Sequence, residues 1–381
     1  MKGKLKVMTI FGTRPEAIKM IPVILELQKH SHLIEVLVAI TAQHREMLDQ
    51  VLDAFQLVPD YDLNLMKENQ SLVMLTTHML EKLDQVLTEV KPNLVLVHGD
   101  TTTTLVSSLA AFYHQIPVGH VEAGLRTGNK LAPYPEEINR QLAGVLADFH
   151  FAPTEEAANN LRREGKNNDI YVTGNTAIDA LFHTVTDNYE HPVLEQIGKD
   201  RFLLLTAHRR ENWGEPLENI LLAVKKLVNE NEDLHVVYPV HLNPMVKELA
   251  KKRLGEHPRI HLMTPLEVMD FHNLMERAYF ILTDSGGIQE EASALGKPVL
   301  VLRDTTERPE GVDAGVLKLV GTSTGQIVKE GNRLLTDEAA YDKMAKPANP
   351  YGDGQASKRI VKILLNYFQG EEELIKTEVS L

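Results

Sequence analysis

Carboxylates at two strand ends and at one helix start occupy positions from which an α/β chain can do acid–base chemistry, and a histidine follows a further strand. Asp100 follows an apolar run, within His98-Gly99-Asp100-Thr101-Thr102-Thr103-Thr104. Glu122 closes a second run in His120-Val121-Glu122-Ala123-Gly124-Leu125-Arg126. Glu136 opens a helical pattern in Pro135-Glu136-Glu137-Ile138-Asn139-Arg140. Carboxylates crowded together have their pKa values pushed apart, and general acid–base catalysis uses that separation. Arg126 and Arg140 are candidates to pair with them. His208 follows another apolar run, ahead of Arg209, Arg210 and Trp213, and His241 ends the next run similarly. Each residue also has an ordinary reading. Asp100 would cap a helix, the acids and arginines would be surface ion pairs, and the histidines would be satisfied structural residues.

Two turns suit an anion. In Gly12-Thr13-Arg14-Pro15-Glu16-Ala17-Ile18-Lys19, Gly12 allows a tight turn and Pro15 opens a helix. The free N–H groups of that helix, with Arg14 and Lys19, make a candidate anion site; otherwise these are solvent-facing cations. In Thr283-Asp284-Ser285-Gly286-Gly287-Ile288-Gln289-Glu290-Glu291, Ser285 would cap a helix. Gly286 and Gly287 would let a phosphate approach the backbone and the positive end of the helix dipole. Glu291 sits one turn on, where a carboxylate near a nucleotide accepts from ribose hydroxyls. Neither turn is a Walker A loop or a G-x-G-x-x-G fingerprint. Asp60-Tyr61-Asp62 matches a metal-binding D-x-D only formally, since it follows Pro59 in a polar connection. Gly321-Thr322-Ser323-Thr324-Gly325 matches the hydrolase elbow G-x-S-x-G, but that arrangement needs a later histidine and the last one is His272. No metal site is expected.

Composition narrows the classes. The chain has 381 residues, enough for two to three domains, with 43% apolar and 24% charged residues. Its net charge of −13 argues against a phosphate-backbone binder, so no nucleic-acid partner is expected. With no cysteine, disulfides, cysteine-ligated zinc and cysteine nucleophiles are excluded. No apolar run approaches the length of a spanning helix and no export signal is visible. No membrane insertion is expected, and cytoplasmic residence is the default.

The elements that must position these residues read as strand, turn and amphipathic helix, repeated. Strands are expected at 5–11, 34–41, 93–97, 117–121, 149–152 and 170–173. A second set is expected at 202–207, 234–239, 259–262, 280–283, 298–302 and 316–320. Most are continuous apolar runs, which suits parallel strands buried on both faces. Helices are expected at 15–29, 45–55, 72–90 and 136–146. The stretch 187–200 is polar and unpatterned, and the domain boundary is expected between Thr173 and Asp200. The fold class that follows is α/β: two doubly wound, Rossmann-like domains facing a central cleft, with ligands at the C-terminal ends of the strands.

Taken in order, Gly12–Lys19 (GTRPEAIK), His98–Thr104 (HGDTTTT), His120–Gly128 (HVEAGLRTG), Pro133–Arg140 (PYPEEINR), Thr206–Asn212 (TAHRREN), Thr283–Ala292 (TDSGGIQEEA) and Gly296–Glu310 (GKPVLVLRDTTERPE) resemble the bacterial non-hydrolysing UDP-N-acetylglucosamine 2-epimerases. The resemblance runs from about Gly12 to Gly354. It implies the glycosyltransferase-B type of fold: an N-terminal domain over 1–175, a UDP-binding domain over 176–356, and a C-terminal helix over 357–381 packing back on the first domain. It implies reversible conversion of UDP-GlcNAc to UDP-ManNAc without a cofactor. Asp100, Glu122, Glu136 and His208 would be catalytic. Arg14, Lys19, Ser285, Gly286, Gly287 and Glu291 would hold UDP. Gln43, Arg210 and His241 would line a second UDP-GlcNAc site that activates the enzyme, and the protein would be a homodimer. The segment His120–Thr127 follows the non-hydrolysing pattern and not the HIEGGE-like loop of hydrolysing relatives.

Two other readings share the nucleotide segment. A UDP-sugar-dependent glycosyltransferase would need an acceptor and has no use for this carboxylate set. A non-catalytic UDP-sugar sensor would bind without turnover.

Overall fold

The structure, a computed structural model, describes residues 4–42, 45–66, 70–166, 169–306, 308–346 and 350–370. The chain divides into two compact units. Unit 1 runs to His183 and resumes at Tyr351; unit 2 is Thr184–Pro350.

Unit 1 alternates strand and helix: β1 (Leu5–Phe11), α1 (Arg14–Lys29), β2 (Ile34–Ile40), α2 (Arg45–Ala54), β3 (Tyr61–Asp62), α3 (Leu72–Val90), β4 (Leu94–His98), α4 (Thr102–Tyr113), β5 (Val118–Val121), α5 (Glu136–Leu146), β6 (Phe149–Ala152), α6 (Glu155–Arg163), β7 (Ile170–Val172) and α7 (Thr176–Thr184). The strands form one parallel sheet in the order β3-β2-β1-β4-β5-β6-β7. Met8, Ile10, Val95 and Val97 of its centre are buried against Met79, Leu83 and Leu87 of α3. Covered on both faces, such strands read as continuous apolar runs, which is why their positions are visible in the sequence.

Unit 2 repeats the plan with α8 (Pro192–Ile197), β8 (Arg201–Thr206), α9 (Glu215–Glu230), β9 (Leu234–Pro239), α10 (Pro244–Leu254), β10 (Ile260–Met263), α11 (Val268–Arg277), β11 (Phe280–Thr283), α12 (Gly286–Ala294), β12 (Val299–Val301), α13 (Pro309–Asp313), β13 (Leu317–Leu319), α14 (Thr324–Thr336) and α15 (Glu338–Met344). Its parallel sheet has the order β10-β9-β8-β11-β12-β13. Leu203, Leu205, Val236 and Leu282 are fully buried there against α9 and α14 residues such as Val224 and Ile327. The final helix, α16 (Ala356–Gln369), belongs to unit 1 and packs on α1. Its first N–H groups, from Ala356 and Ser357, donate to the Asp179 carboxylate of α7 at 3.2 and 2.7 Å. The ring of Tyr367 meets Phe149 edge-on at 4.7 Å. Because α7 carries the cap of α16, unit 1 extends past residue 175 to His183 and resumes at Tyr351, ahead of residue 357.

Two elements depart from the sequence reading. Tyr61–Asp62 pairs with Ala39–Ile40 as a two-residue strand, too short for periodicity to reveal. Both of its neighbouring carboxylates are engaged: Asp60 accepts from Val38 N at 2.8 Å and Asp62 pairs with Arg45. The polar stretch 187–200 also holds a helix, α8, whose N-terminus is capped by the His191 ring accepting from Val193 N.

In both sheets the strand order reverses beside the first strand, between β1 and β4 and between β8 and β11. Connections there leave in opposite directions and open a crevice at the carboxyl ends of the strands. Gly12–Lys19 and His98–Thr104 meet at the first reversal; His208 and Asp284–Gly287 meet at the second. No described helix is long and apolar enough to cross a membrane.

Candidate active site

The unit 1 site begins with a tight turn. Thr13 caps α1 and Glu16 closes a capping box with it. Glu16 does more than cap. It is buried and accepts from Gly12 N, Thr13 N and Thr13 Oγ1 on one oxygen, and from Thr101 Oγ1 at 2.7 Å on the other. Burial raises its pKa above the ordinary carboxylate value, against the pull of these donors. Thr103 Oγ1 meets Thr41 Oγ1 at 2.9 Å, and Thr104 donates to the carbonyl of His98. The threonine run thus ties the β4–α4 turn to the β1–α1 turn. A Cβ on Gly12 would lie 2.0 Å from Thr41 Oγ1 and 2.6 Å from Thr103 Oγ1, so only glycine fits where the two turns touch.

Above this frame stands a charged cluster. Glu122 follows β5 at a positive φ of 62° and is buried. Its Oε1 pairs with the Lys19 ammonium, and its Oε2 accepts from Arg140 Nη2 at 3.1 Å. The same Arg140 nitrogen reaches Asp100 Oδ2 at 2.5 Å, and Arg140 Nη1 donates to the Glu122 carbonyl. Asn139 Nδ2 holds the Asp100 carbonyl at 3.0 Å. Two acids and two cations therefore share one partly water-excluded site. Burial works against the Glu122 carboxylate, but Lys19 and Arg140 outweigh it and hold its pKa well below the usual range. His98 Nε2 is buried without a hydrogen bond, 4.0 Å from Glu122 Oε1. Burial pushes this imidazole down to about 3, so it is neutral near pH 7.

The expected residues gather unevenly. Glu122 and Lys19 meet directly, and Arg140 bridges Asp100 to Glu122. Glu136 is half-buried at the first position of α5, one turn before Arg140 on the same helix face. Arg14 is half-buried at the first position of α1, with no ion pair among the described residues. Arg126, a candidate partner for the acids, instead grips Glu164 with two nitrogens at 2.6 and 2.9 Å. The neighbour of Glu136, Glu137, is structural: it accepts from Thr127 N and Gly128 N and fixes the preceding loop. Gln43 lies outside the described residues.

In unit 2, His208 follows β8 and faces Asp284, which is fully buried after β11. Asp284 Oδ2 accepts from His208 N, Arg209 N and Asn212 Nδ2 at 2.9–3.0 Å. Its Oδ1 has no hydrogen bond and lies 3.5 Å from His208 Nδ1. This carboxylate sets the loop and aims the imidazole. Burial lowers the His208 pKa below 6.5, with Asp284 opposing. The His241 ring stacks on His208 at 5.6 Å and 9°. Arg210 opens the 3-10 turn Arg210–Asn212. The sequence motifs leave Asp284 without a role; its signal is an acid at one strand end and a histidine at the end of the adjoining strand.

Ser285 occupies the N-cap position of α12 without a side-chain cap bond, so its hydroxyl is available beside the first N–H groups of the helix. Gly287 is exposed and a Cβ there would meet nothing within 4 Å, so its open face is not needed for packing. Glu291, one turn on, has His272 Nε2 at 3.6 Å from its Oε2. His272 is buried and its Nδ1 meets Thr184 Oγ1 at 2.6 Å. Among the described residues no cluster of His, Asp and Glu is placed to hold a metal ion.

Known proteins can be set beside this geometry. Residues 25–365 match the family model described as UDP-N-acetylglucosamine 2-epimerase. The chain is 62% identical over 371 residues to the UDP-N-acetylglucosamine 2-epimerase of Bacillus subtilis (strain 168), covering 97% of each. It is 52% identical over 373 residues to the enzyme of that name from Salmonella typhimurium, covering 95% of this chain and 99% of the relative. The crystal structure of UDP-GlcNAc 2-epimerase from Neisseria meningitidis bound to UDP-GlcNAc superposes with a TM-score of 0.85 at 53% identity, over 95% of this chain and 100% of that one. Two Rossmann-like sheets, an acid cluster at one strand reversal and a glycine-led helix start at the other belong to a chain that is a member of the UDP-N-acetylglucosamine 2-epimerase family of enzymes.

Proposed function

We propose that the protein interconverts UDP-GlcNAc and UDP-ManNAc by eliminating UDP and adding it back. The observation that carries this reading is the Asp100–Arg140–Glu122–Lys19 cluster, because a binding protein or a glycosyl donor site has no use for paired carboxylates held among cations. The proton at C2 of the sugar is not acidic, since no carbonyl adjoins it. Breaking the bond from C1 to the diphosphate oxygen makes C1 electron-poor and the C2 proton removable. A carboxylate takes that proton, the C–H electron pair becomes the C1–C2 double bond, and the C1–O pair leaves with UDP. The intermediate is 2-acetamidoglucal. Re-addition of the UDP oxygen to C1, with a proton delivered to the opposite face of C2, gives the epimer.

Asp100, Glu122 and Glu136 are the proposed bases and acids, and proton transfer by such groups contributes about 10²–10⁴ in rate. Arg14, Lys19 and the α12 start at Ser285, Gly286 and Gly287 are proposed to neutralise the departing diphosphate. Glu291 is proposed to accept from the ribose hydroxyls. His208, aimed by Asp284, would assist the leaving phosphate or shuttle a proton. A second UDP-GlcNAc at Gln43, Arg210 and His241, a homodimeric state and a cytoplasmic role in supplying ManNAc for surface polysaccharide complete the proposal. The stacking of His241 on His208 supports communication between the second site and the chemistry.

Proton NMR of UDP-GlcNAc with the protein tests the reading. Appearance of a second anomeric signal from UDP-ManNAc, with no acceptor added, is the expected result. Turnover only with an acceptor would make the protein a glycosyltransferase. Binding with an unchanged spectrum would make it a sensor.

A further inference from the structure

Glu122 presents a conflict. The proposed chemistry asks it for a strong base, yet its surroundings make it a weak one. Its Oε2 faces Arg140 from α5, and its Oε1 faces Lys19 from α1 and the neutral His98 ring at the end of β4. Asp100 lies on the far side of Arg140. Two cations thus balance two carboxylates.

The two cations are not equally held. Arg140 is 5% exposed and is fixed at three points, to Asp100, to the Glu122 carboxylate and to the Glu122 carbonyl. Lys19 reaches Glu122 on a flexible four-carbon stem and its side chain is 23% exposed. It sits on the same helix as Arg14, a half-buried cation with no ion pair among the described residues. An incoming diphosphate drawn to these two cations competes with Glu122 for the Lys19 ammonium.

We propose that Lys19 is a shared counter-ion: it neutralises Glu122 in the free protein and passes to the diphosphate of the bound nucleotide sugar, so that binding itself turns Glu122 into an effective base. This rests on the reading that unit 1 handles a UDP-sugar. With Lys19 withdrawn, one arginine serves two carboxylates and the cluster carries a net negative charge. A proton on Glu122 then relieves it. His98, neutral and buried in the free protein, brings no charge of its own to the cluster. The exchange also balances during the reaction. As the C1–O bond breaks, UDP gains negative charge and keeps Lys19; as Glu122 takes the C2 proton it loses its charge and needs no counter-ion. Losing an opposite charge at this range raises a carboxylate pKa by about 1–3 units.

The experiment compares acid limbs of the pH–rate profile with UDP-GlcNAc as substrate. The limb of kcat/KM reports the free enzyme and that of kcat the complex. In the wild type, the kcat limb is expected about 1–3 pH units above the kcat/KM limb. In Lys19→Met the kcat/KM limb is expected to rise to meet it. Coincident limbs in the wild type, or an unmoved kcat/KM limb in the variant, overturn the proposal. Should the variant fail to fold, proton uptake on binding UDP is read by calorimetry in two buffers at pH 4–5, wild type against Glu122→Gln. Greater uptake by the wild type supports the switch. Equal uptake with intact UDP binding overturns the switch alone. No UDP binding overturns the nucleotide reading and the switch together.

Discussion

Unit 1 and unit 2 use the same strand order around their reversals, yet they prepare for a ligand in opposite ways. In unit 1 the reversal is filled: Glu16 and the threonines lock the turns, and Glu122, Asp100, Arg140 and Lys19 neutralise one another. In unit 2 it is left open at α12, where Ser285 makes no cap bond and Gly287 faces free space, while Asp284 aims a single imidazole. A preformed charge cluster suits proton transfer, where small misplacements are costly. An open helix start suits an anion that arrives with the ligand. On the proposed reading the first copy of the fold carries the carboxylates of the chemistry and the second the helix start that receives the nucleotide.

The sharpest way to break this contrast is at Glu122. Glu122→Gln keeps the shape and removes the charge, so turnover is expected to fall about 10²–10⁴-fold. UDP affinity, read by calorimetry, should survive. Near-normal turnover would remove Glu122 from the chemistry.

Acid should find unit 1 next. His98 and His150 are held at about 3 and about 4 by burial, and His120 well below 6.5 for the same reason. Their folded pKa values lie below the unfolded value, so their stabilising contribution is complete above about pH 6.5. It is lost as pH falls from there toward 3–4, by up to about 1.4 kcal/mol per histidine per pH unit. Hydrogen exchange between pH 7.5 and 5 should show β4, β5 and β6 losing protection before β8, β9 and β11. Equal losses would contradict the assignment of the buried neutral histidines to unit 1.

Asp284 is the unit 2 counterpart. Asp284→Ala leaves the buried donors of His208, Arg209 and Asn212 without their acceptor, and about 1–3 kcal/mol of stability should be lost. Turnover should fall with it as His208 loses its aim. A variant with unchanged melting temperature and rate would dismiss the aiming role.

Two glycines give the smallest and cleanest contrast. Gly12→Ala drives a methyl into Thr41 and Thr103 and should cost about 1–3 kcal/mol in thermal stability. Gly287→Ala meets nothing and should leave the melt unchanged, while UDP affinity falls about tenfold, ~1.4 kcal/mol. The reverse pattern would undo the distinction between a filled and an open reversal.

Much of this was legible in the residues. Buried parallel strands announce themselves as apolar runs, and β6 and β11 begin and end where the runs do. The glycines and acids that follow β1, β4, β5 and β11 marked the candidate turns. What stayed hidden was pairing. Lys19 and Glu122 stand 103 residues apart, and Arg126 and Arg140 look alike in sequence although one turns to Glu164 and the other to the acids. The threonine run Thr101–Thr104 holds two turns together through partners far apart in sequence. Two-residue β3 and short α8 lack the length for any period to show.

The central claim is that carboxylates in this protein remove and replace the proton at C2. Incubating the enzyme with UDP-GlcNAc in heavy water and observing the product by NMR tests it directly. The account predicts UDP-ManNAc carrying deuterium at C2, with the label arriving far more slowly in Glu122→Gln. Epimer formed with its original proton at C2 would contradict it.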